Sequence, residues 1–285
     1  MRVLVTGSNG QLGQDLVNLL KNYQIETYAY TKSELDIINQ EAVDAIVHEI
    51  RPDVIINAAA YTKVDLAESN EDIAFAVNAW GQRNLSVAAE MYGAKMCYIS
   101  TDYVFDGNGK EPYKEYDQIN PLGVYGKSKY AGEELTKTLS TKYFIVRTAW
   151  VYGEHGNNFV HIMLRLAKDQ NKLGVVNDQI GSPTYTVDLA RFIVRLVQTE
   201  KYGVYHATNS GSCTWYDFSK AIFEESSLEV KVTPLTTEEF PTKATRPSYS
   251  VLDNFAMRVN GFGQLRPWRE ALSEFINKQI GEKRK

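Results

Sequence analysis

Residues 2–13 read Arg2-Val3-Leu4-Val5-Thr6-Gly7-Ser8-Asn9-Gly10-Gln11-Leu12-Gly13, followed by Asp15-Leu16-Val17-Asn18-Leu19-Leu20. No other stretch restricts the fold as tightly. A short apolar β-type run enters a turn with glycine at every third position and leaves it as a helix. That order is what a phosphate-binding turn of a dinucleotide fold requires. Gly7 permits the tight turn, Gly10 lets backbone approach a pyrophosphate, and Gly13 lets helix pack close to strand. Gln11, Leu12 and Gly13 open the helix, whose free N–H groups and dipole favour an anion. The spacing is Gly-x-x-Gly-x-x-Gly rather than Gly-x-Gly-x-x-Gly, so a plain glycine-rich turn is the alternative.

Strand-like runs recur at Arg2–Thr6, Glu26–Tyr30, Val54–Asn57, Lys95–Ser100 and Tyr143–Thr148. Between them, Gln40–Ile50, Asp72–Tyr92 and Ser128–Leu139 carry helical periodicity. This alternation predicts an α/β fold, a Rossmann-like doubly wound parallel sheet with helices on both faces. With 285 residues, the chain has room for a sheet domain over residues 1–150. A smaller C-terminal lobe over 151–285 is expected, with some segments returning to the first.

In such sheets ligands lie beyond the carboxyl ends of the strands. The second strand ends Tyr30-Thr31-Lys32-Ser33 with no acid, a setting that favours a 2′-phosphate over a bare ribose hydroxyl. Asp36 and Ile37 follow, and Asp36 reads by itself as a cap for the next helix. The third ends Asn57-Ala58-Ala59-Ala60-Tyr61, small enough for a cofactor to lie on the backbone or for plain tight packing. The fourth ends Ser100-Thr101-Asp102-Tyr103, where Thr101 offers a hydroxyl to a substrate oxygen or forms a turn.

Tyr125 and Lys129 are four residues apart and share one helix face. A phenol of reference pKa about 10 is a weak acid, and a nearby ammonium is expected to lower that value. The pair then makes a proton donor for ketone reduction. Alone, it reads equally as a solvated helix face.

Together these features resemble the extended short-chain dehydrogenase/reductase family, whose members act on nucleotide sugars, over nearly the whole chain. The resemblance implies a catalytic set of Thr101, Tyr125 and Lys129. Family dehydratases carry Asp-Glu after the Thr; here Asp102 is followed by Tyr103, so the eliminating glutamate is missing. The strings around Ala59–Asp65, Ile99–Phe105, Asn120–Lys129, Arg147–Gly153 and Asp178–Thr184 resemble the family's 4-keto-sugar reductases. A dTDP-linked 4-keto-6-deoxy-sugar is thus the implied substrate and NADPH the cofactor, with NADH admitted. Cofactor contacts are implied at Gly7, Gly10, Gln11, Leu12, Gly13, Asp36, Ile37, Ala58, Ala59, Ala60, Tyr61, Tyr125 and Lys129. Substrate contacts are implied at Thr101, Asp102, Trp150 and Asn158. Trp150 forms an apolar wall for the sugar or packs in the core, Gly156–Phe159 holds a diphosphate or caps a helix, and Arg246 pairs with a phosphate or with an acid. Another nucleotide-sugar reductase, an epimerase and a non-catalytic NADP-binding regulatory subunit are the alternatives.

The net charge of −4 argues against nucleic acid, and the basic end Lys283-Arg284-Lys285 reads as a solvated terminus. Cys97 and Cys213 read as core thiols of a reducing compartment, and the four histidines lack ligand spacing. A strand from residue 2 leaves no leader, and no apolar run reaches spanning length, so a cytoplasmic monomer or homodimer without membrane contact is expected. Some relatives are described as Mg²⁺-bridged dimers; the matching acids, Asp15, Asp188 and Glu274, read as ordinary solvated carboxylates. No metal site is assigned.

Overall fold

The computed structural model describes residues 1–282, with side chains through Gln279; the basic end at 283–285 lies outside the described residues. Five strands fall where the apolar runs predict them: β1 Arg2–Thr6, β2 Glu26–Tyr30, β3 Val54–Asn57, β4 Lys95–Thr101 and β5 Tyr143–Thr148. With β6, Gly203–His206, they form one sheet of order β6-β5-β4-β3-β1-β2, parallel throughout. The order reverses between β1 and β3. That is the switch point of a doubly wound fold, where a ligand crevice opens.

Alternation along each strand sends side chains to opposite faces. Val3 and Val5 of β1 pack under α1, Gln11–Asn22, in a core shared with Leu189, Ile193 and Leu196. Leu4 faces the other way, with Val43 and Val47 of α2, Gln40–Ile50, and Leu85 and Ala89 of α3, Gln82–Tyr92. The result is three layers with the sheet in the middle.

The helix expected over Asp72–Tyr92 is not uniform. Residues Ala76–Gly81 form a π-helical turn before α3. Such turns admit one extra residue and change which side chains face inward; here the turn points Asn78 into the protein, where it is buried. The helix predicted from Ser128 begins four residues earlier, as α4, Val124–Leu139.

Residues beyond 150 build a second core around Tyr152, Val160, Phe218, Leu272 and Phe275. They also return to the sheet: β6 pairs with β5, and the helix α6, Thr186–Val197, shares the core of α1. Helix α5, Phe159–Leu166, and helix α7, Trp215–Glu225, stay in the second core with the final helix α8, Trp268–Glu282. Among the described residues, no helix is long and apolar enough to cross a membrane.

Candidate active site

The glycine turn is built on contact, not only on flexibility. Gly7 has φ +67°, and a Cβ there would sit 2.6 Å from the Ala59 nitrogen. The turn after β1 thus rests directly on the Ala58–Ala59 backbone after β3. A Cβ on Gly13 would meet the Gly7 carbonyl oxygen at 2.2 Å, so α1 lies against the turn with no room for a methyl group. This bare backbone cradle, facing the first N–H groups of α1, suits a dinucleotide pyrophosphate. Gly13→Ala is expected to push α1 off the turn and abolish most dinucleotide affinity; a fluorescence titration showing unchanged affinity would refute that use of the cradle.

Hydrogen bonds hold the neighbouring strand ends. Asn57 Oδ1 accepts from Thr6 Oγ1 at 2.7 Å and from the Ala59 N–H at 3.0 Å, while its Nδ2 donates to Gln82 Oε1 at 2.7 Å. Asn78 accepts from the Tyr61 N–H at 2.8 Å and donates to Ser128 Oγ at 3.0 Å. It therefore ties the Ala60–Tyr61 segment to α4. Sequence periodicity gives no sign of Asn78, because an α-helical register through 76–81 aims it elsewhere.

At the end of β2 the structure adds one group that the strand's own residues do not show. The acid missing from the strand tip is supplied from further on: Glu34 Oε2 accepts from the Thr31 N–H and from Thr31 Oγ1, both at 2.8 Å. Those bonds hold the Glu34 carboxyl below its usual value. Lys32 is exposed. Asp36 does not cap α2; Asn39 does, accepting from the Ala42 N–H at 3.1 Å. Ile37 is buried, and its Cδ1 lies 2.6 Å from where a Cβ on Gly81 would stand.

Thr101 and Tyr125 meet, with Lys129 one helical turn further on. Thr101 ends β4, and Tyr125 and Lys129 occupy the first two turns of α4, the helix beside it. The Thr101 hydroxyl faces the Tyr125 phenol and lowers its pKa, but burial dominates and pushes the phenol up to about 12. Lys129 does not lower it. Its Nζ donates to the Ile99 carbonyl at 2.7 Å and lies 4.1 Å from the centre of the Tyr98 ring. Burial brings the Lys129 ammonium down to about 7, with the Glu133 charge opposing. The expected charge-tuned phenol is therefore corrected: in a site this dry, loss of solvent outweighs the pull of one cation. A phenol that stays protonated at neutral pH is still the form a proton donor needs.

Under the site runs a fully buried network that the sequence did not disclose. Glu133, one turn beyond Lys129, accepts from Ser100 Oγ at 2.6 Å and from Arg147 at 2.9 and 2.7 Å. Arg147 continues to His206 Nε2 at 3.2 Å. Strand β4, helix α4, β5 and β6 are thereby joined directly behind Thr101.

In the second half of the chain, several residues that the sequence left with two readings have packing, capping or ion-pair partners. Trp150 stands beyond β5 with φ +47°, a conformation costly for a bulky side chain. Its ring stacks on Trp215, centroids 3.5 Å apart. Trp215 carried no sequence signal, since nothing linked it to Trp150. Asn158 is spent on the fold: it caps α5 by accepting from the His161 N–H at 3.0 Å, and donates to Gln11 Oε1 at 2.8 Å and to the Gly153 carbonyl at 2.9 Å. Gln11 is equally engaged, donating to the Val151 carbonyl at 3.1 Å. Arg246 pairs with Asp65 at 3.1 and 2.8 Å, which resolves its alternatives in favour of the acid. Of the three acids, Arg266 binds both Asp188, at 2.8 Å, and Glu274. Among the described residues no three His, Cys, Asp or Glu side chains are grouped to hold a metal ion. Cys97 and Cys213 are free and buried.

The family model described as RmlD substrate binding domain matches residues 1–280. The chain belongs to that family. It is 47% identical over 285 residues to a dTDP-4-dehydrorhamnose reductase of Aggregatibacter actinomycetemcomitans, covering 95% of this chain and 97% of that one. It is 45% identical over 278 residues to the spore coat polysaccharide biosynthesis protein SpsK of Bacillus subtilis, with 98% of each covered. Among solved structures, a dTDP-4-dehydrorhamnose reductase from Bacillus anthracis in complex with NADP superposes with TM-score 0.96 at 49% identity. That superposition covers 97% of this chain and 99% of the other. The family membership places the glycine cradle and the Thr101–Tyr125–Lys129 cluster in a chain alike to these reductases from end to end.

Proposed function

We propose that the protein reduces the 4-keto group of dTDP-4-dehydrorhamnose to give dTDP-L-rhamnose, with NADPH as hydride donor. The observation that carries this reading is the Thr101 hydroxyl facing the Tyr125 phenol at the sheet's carboxyl edge, with Lys129 one turn along the same helix, beside a cradle bare of side chains. The full-length likeness to reductases of that name supports the choice of sugar. The cofactor is held by the Gly7–Gly13 turn and the Ala58–Tyr61 segment, with Asp36 and Ile37 toward the adenine end. Residues 1–150 with the returning segment 186–206 form the cofactor half, and the rest of 151–282 the sugar half.

When bound, the cofactor supplies the hydride. Tyr125 donates its phenolic proton to the oxygen of carbon 4 as negative charge develops there. An alkoxide is a far stronger base than a phenolate, so transfer runs downhill even from a phenol raised by burial. Thr101 donates a hydrogen bond to the same oxygen and fixes the carbonyl's direction. Lys129, one helical turn beyond Tyr125, would hold the nicotinamide ribose. Trp150, backed by Trp215, presents an apolar wall to the deoxysugar.

The test is product analysis after mixing the protein, NADPH and the keto sugar nucleotide. Formation of dTDP-L-rhamnose supports the reading; cofactor oxidation only with a different 4-keto sugar rejects the sugar. On the cofactor, NADPH is expected to serve at least as well as NADH, since Lys32 lies free at the β2 end. The Glu34 carboxylate opposes a 2′-phosphate there, so Glu34→Gln should shift the ratio of kcat/KM further toward NADPH. A shift toward NADH would show that Glu34 does not face that phosphate. Biosynthetic relatives and the ordinary charge of the chain support a cytoplasmic place of work.

A further inference from the structure

We propose that Asp102 is a positioning residue whose proton decides which way the Thr101 hydroxyl points, and that reduction runs through the form in which Asp102 is neutral; this rests on the roles of Thr101 and Tyr125 proposed above. A threonine hydroxyl has one proton to give and two lone pairs to fill. Here Thr101 Oγ1 lies 3.0 Å from Asp102 Oδ1 and accepts from the Tyr103 N–H at 3.2 Å. An ionised carboxylate only accepts, so Thr101 must give its proton to Asp102 and has none for a carbonyl oxygen. Its second lone pair is then open to the Tyr125 phenol, which draws that proton away from the substrate as well.

A protonated Asp102 reverses both bonds. Its O–H and the Tyr103 N–H fill the two lone pairs of Thr101 Oγ1. The Thr101 proton and the Tyr125 proton are then both free for the oxygen of carbon 4. No net proton leaves Asp102 in the reaction; Tyr125 supplies the one that the product keeps.

The surroundings favour the neutral form. Asp102 is 2% exposed, and its Oδ2 is buried with no hydrogen-bond partner. Burial moves the carboxyl up to about 6, with the Ser250 and Thr101 hydroxyls opposing. The titratable groups that face it are Tyr125 from α4 and Tyr103 beside it in the chain, both raised by burial. Beyond Tyr103 stand Arg246 and Asp65, a pair bonded to each other. The sign follows: Asp102 is neutral below its pKa and charged above it, so kcat falls as pH rises through that titration.

The experiment is the pH profile of kcat at saturating NADPH and keto sugar for the wild type, Asp102→Asn and Asp102→Ala. A carboxamide always has an N–H to give to Thr101, so Asp102→Asn should lose the falling limb and overtake the wild type at high pH. Asp102→Ala, with no donor, should be slower than both at low pH. A wild-type limb that persists unmoved in Asp102→Asn overturns the proposal, as does equal loss in the two variants. Infrared difference spectra of the wild type give a readout independent of turnover. A protonated-carboxyl band that survives above about pH 5, where free aspartates are ionised, and vanishes in Asp102→Asn supports it. Absence of that band overturns it. If the band is present in a protein that reduces no keto sugar, the reading of the reaction fails and the hydroxyl switch stands.

Discussion

Tyr125→Phe is expected to bind NADPH as the wild type does and to lose about 10²–10⁴ of its turnover, the usual worth of a positioned general acid. The ring is half-buried at the start of α4 and packs edge-on against Tyr103, centroids 5.6 Å apart. Phenylalanine keeps that packing and removes only the hydroxyl, so fold and cofactor affinity should be spared. The loss should appear in kcat with KM little changed, because the phenol gains most of its interaction as charge develops on the oxygen. Lys129→Met should differ from it by harming cofactor affinity as well. Near wild-type turnover in Tyr125→Phe would mean that the proton comes from elsewhere and would remove the centre of the proposed mechanism.

The largest expected effect on stability lies one turn further along the same helix. Glu133 and Arg147 form an ion pair at 2.7 Å with 0% and 1% of their side chains exposed. Replacing Arg147 with Met leaves a buried carboxylate with Ser100 as its nearest donor, and loss of one partner of such a pair costs about 3–5 kcal/mol. Urea unfolding should show that loss as a lower midpoint. The double replacement Glu133→Leu with Arg147→Met should recover much of it, since the remaining charge is gone. A single-variant loss below about 1 kcal/mol would show that the pair behaves as a solvated one. Ser100 joins Glu133 just before Thr101, so the same break should loosen the strand end that carries the catalytic hydroxyl.

The division of labour between sequence and tertiary structure follows from the range of the forces involved. Strands β1 to β5 and the glycine turn were legible because each depends on a local pattern: apolar alternation, or glycine where a Cβ would collide. The approach of Thr101 to Tyr125 has the same origin, because one strand end and one following helix leave little freedom in a parallel sheet. Beyond local range the sequence was silent or misleading. Lys129 reads as a charge that tunes a phenol, yet burial decides the electrostatics of both groups, and burial is set by everything packed around them. Glu34 drew no notice in the sequence, and its carboxylate stands at the β2 tip. Trp150 reads as a sugar wall or as core, and the partner that stacks on it, Trp215, comes from a distant segment. Residues 156–159 read as a diphosphate site or a helix cap; Asn158 caps, and Gln11, from the far end of the chain, takes one of its amide protons. Periodicity and spacing record what a residue does within a few positions of itself. Desolvation, ion pairing and ring stacking depend on which distant segments arrive beside it, and only the folded chain brings those together.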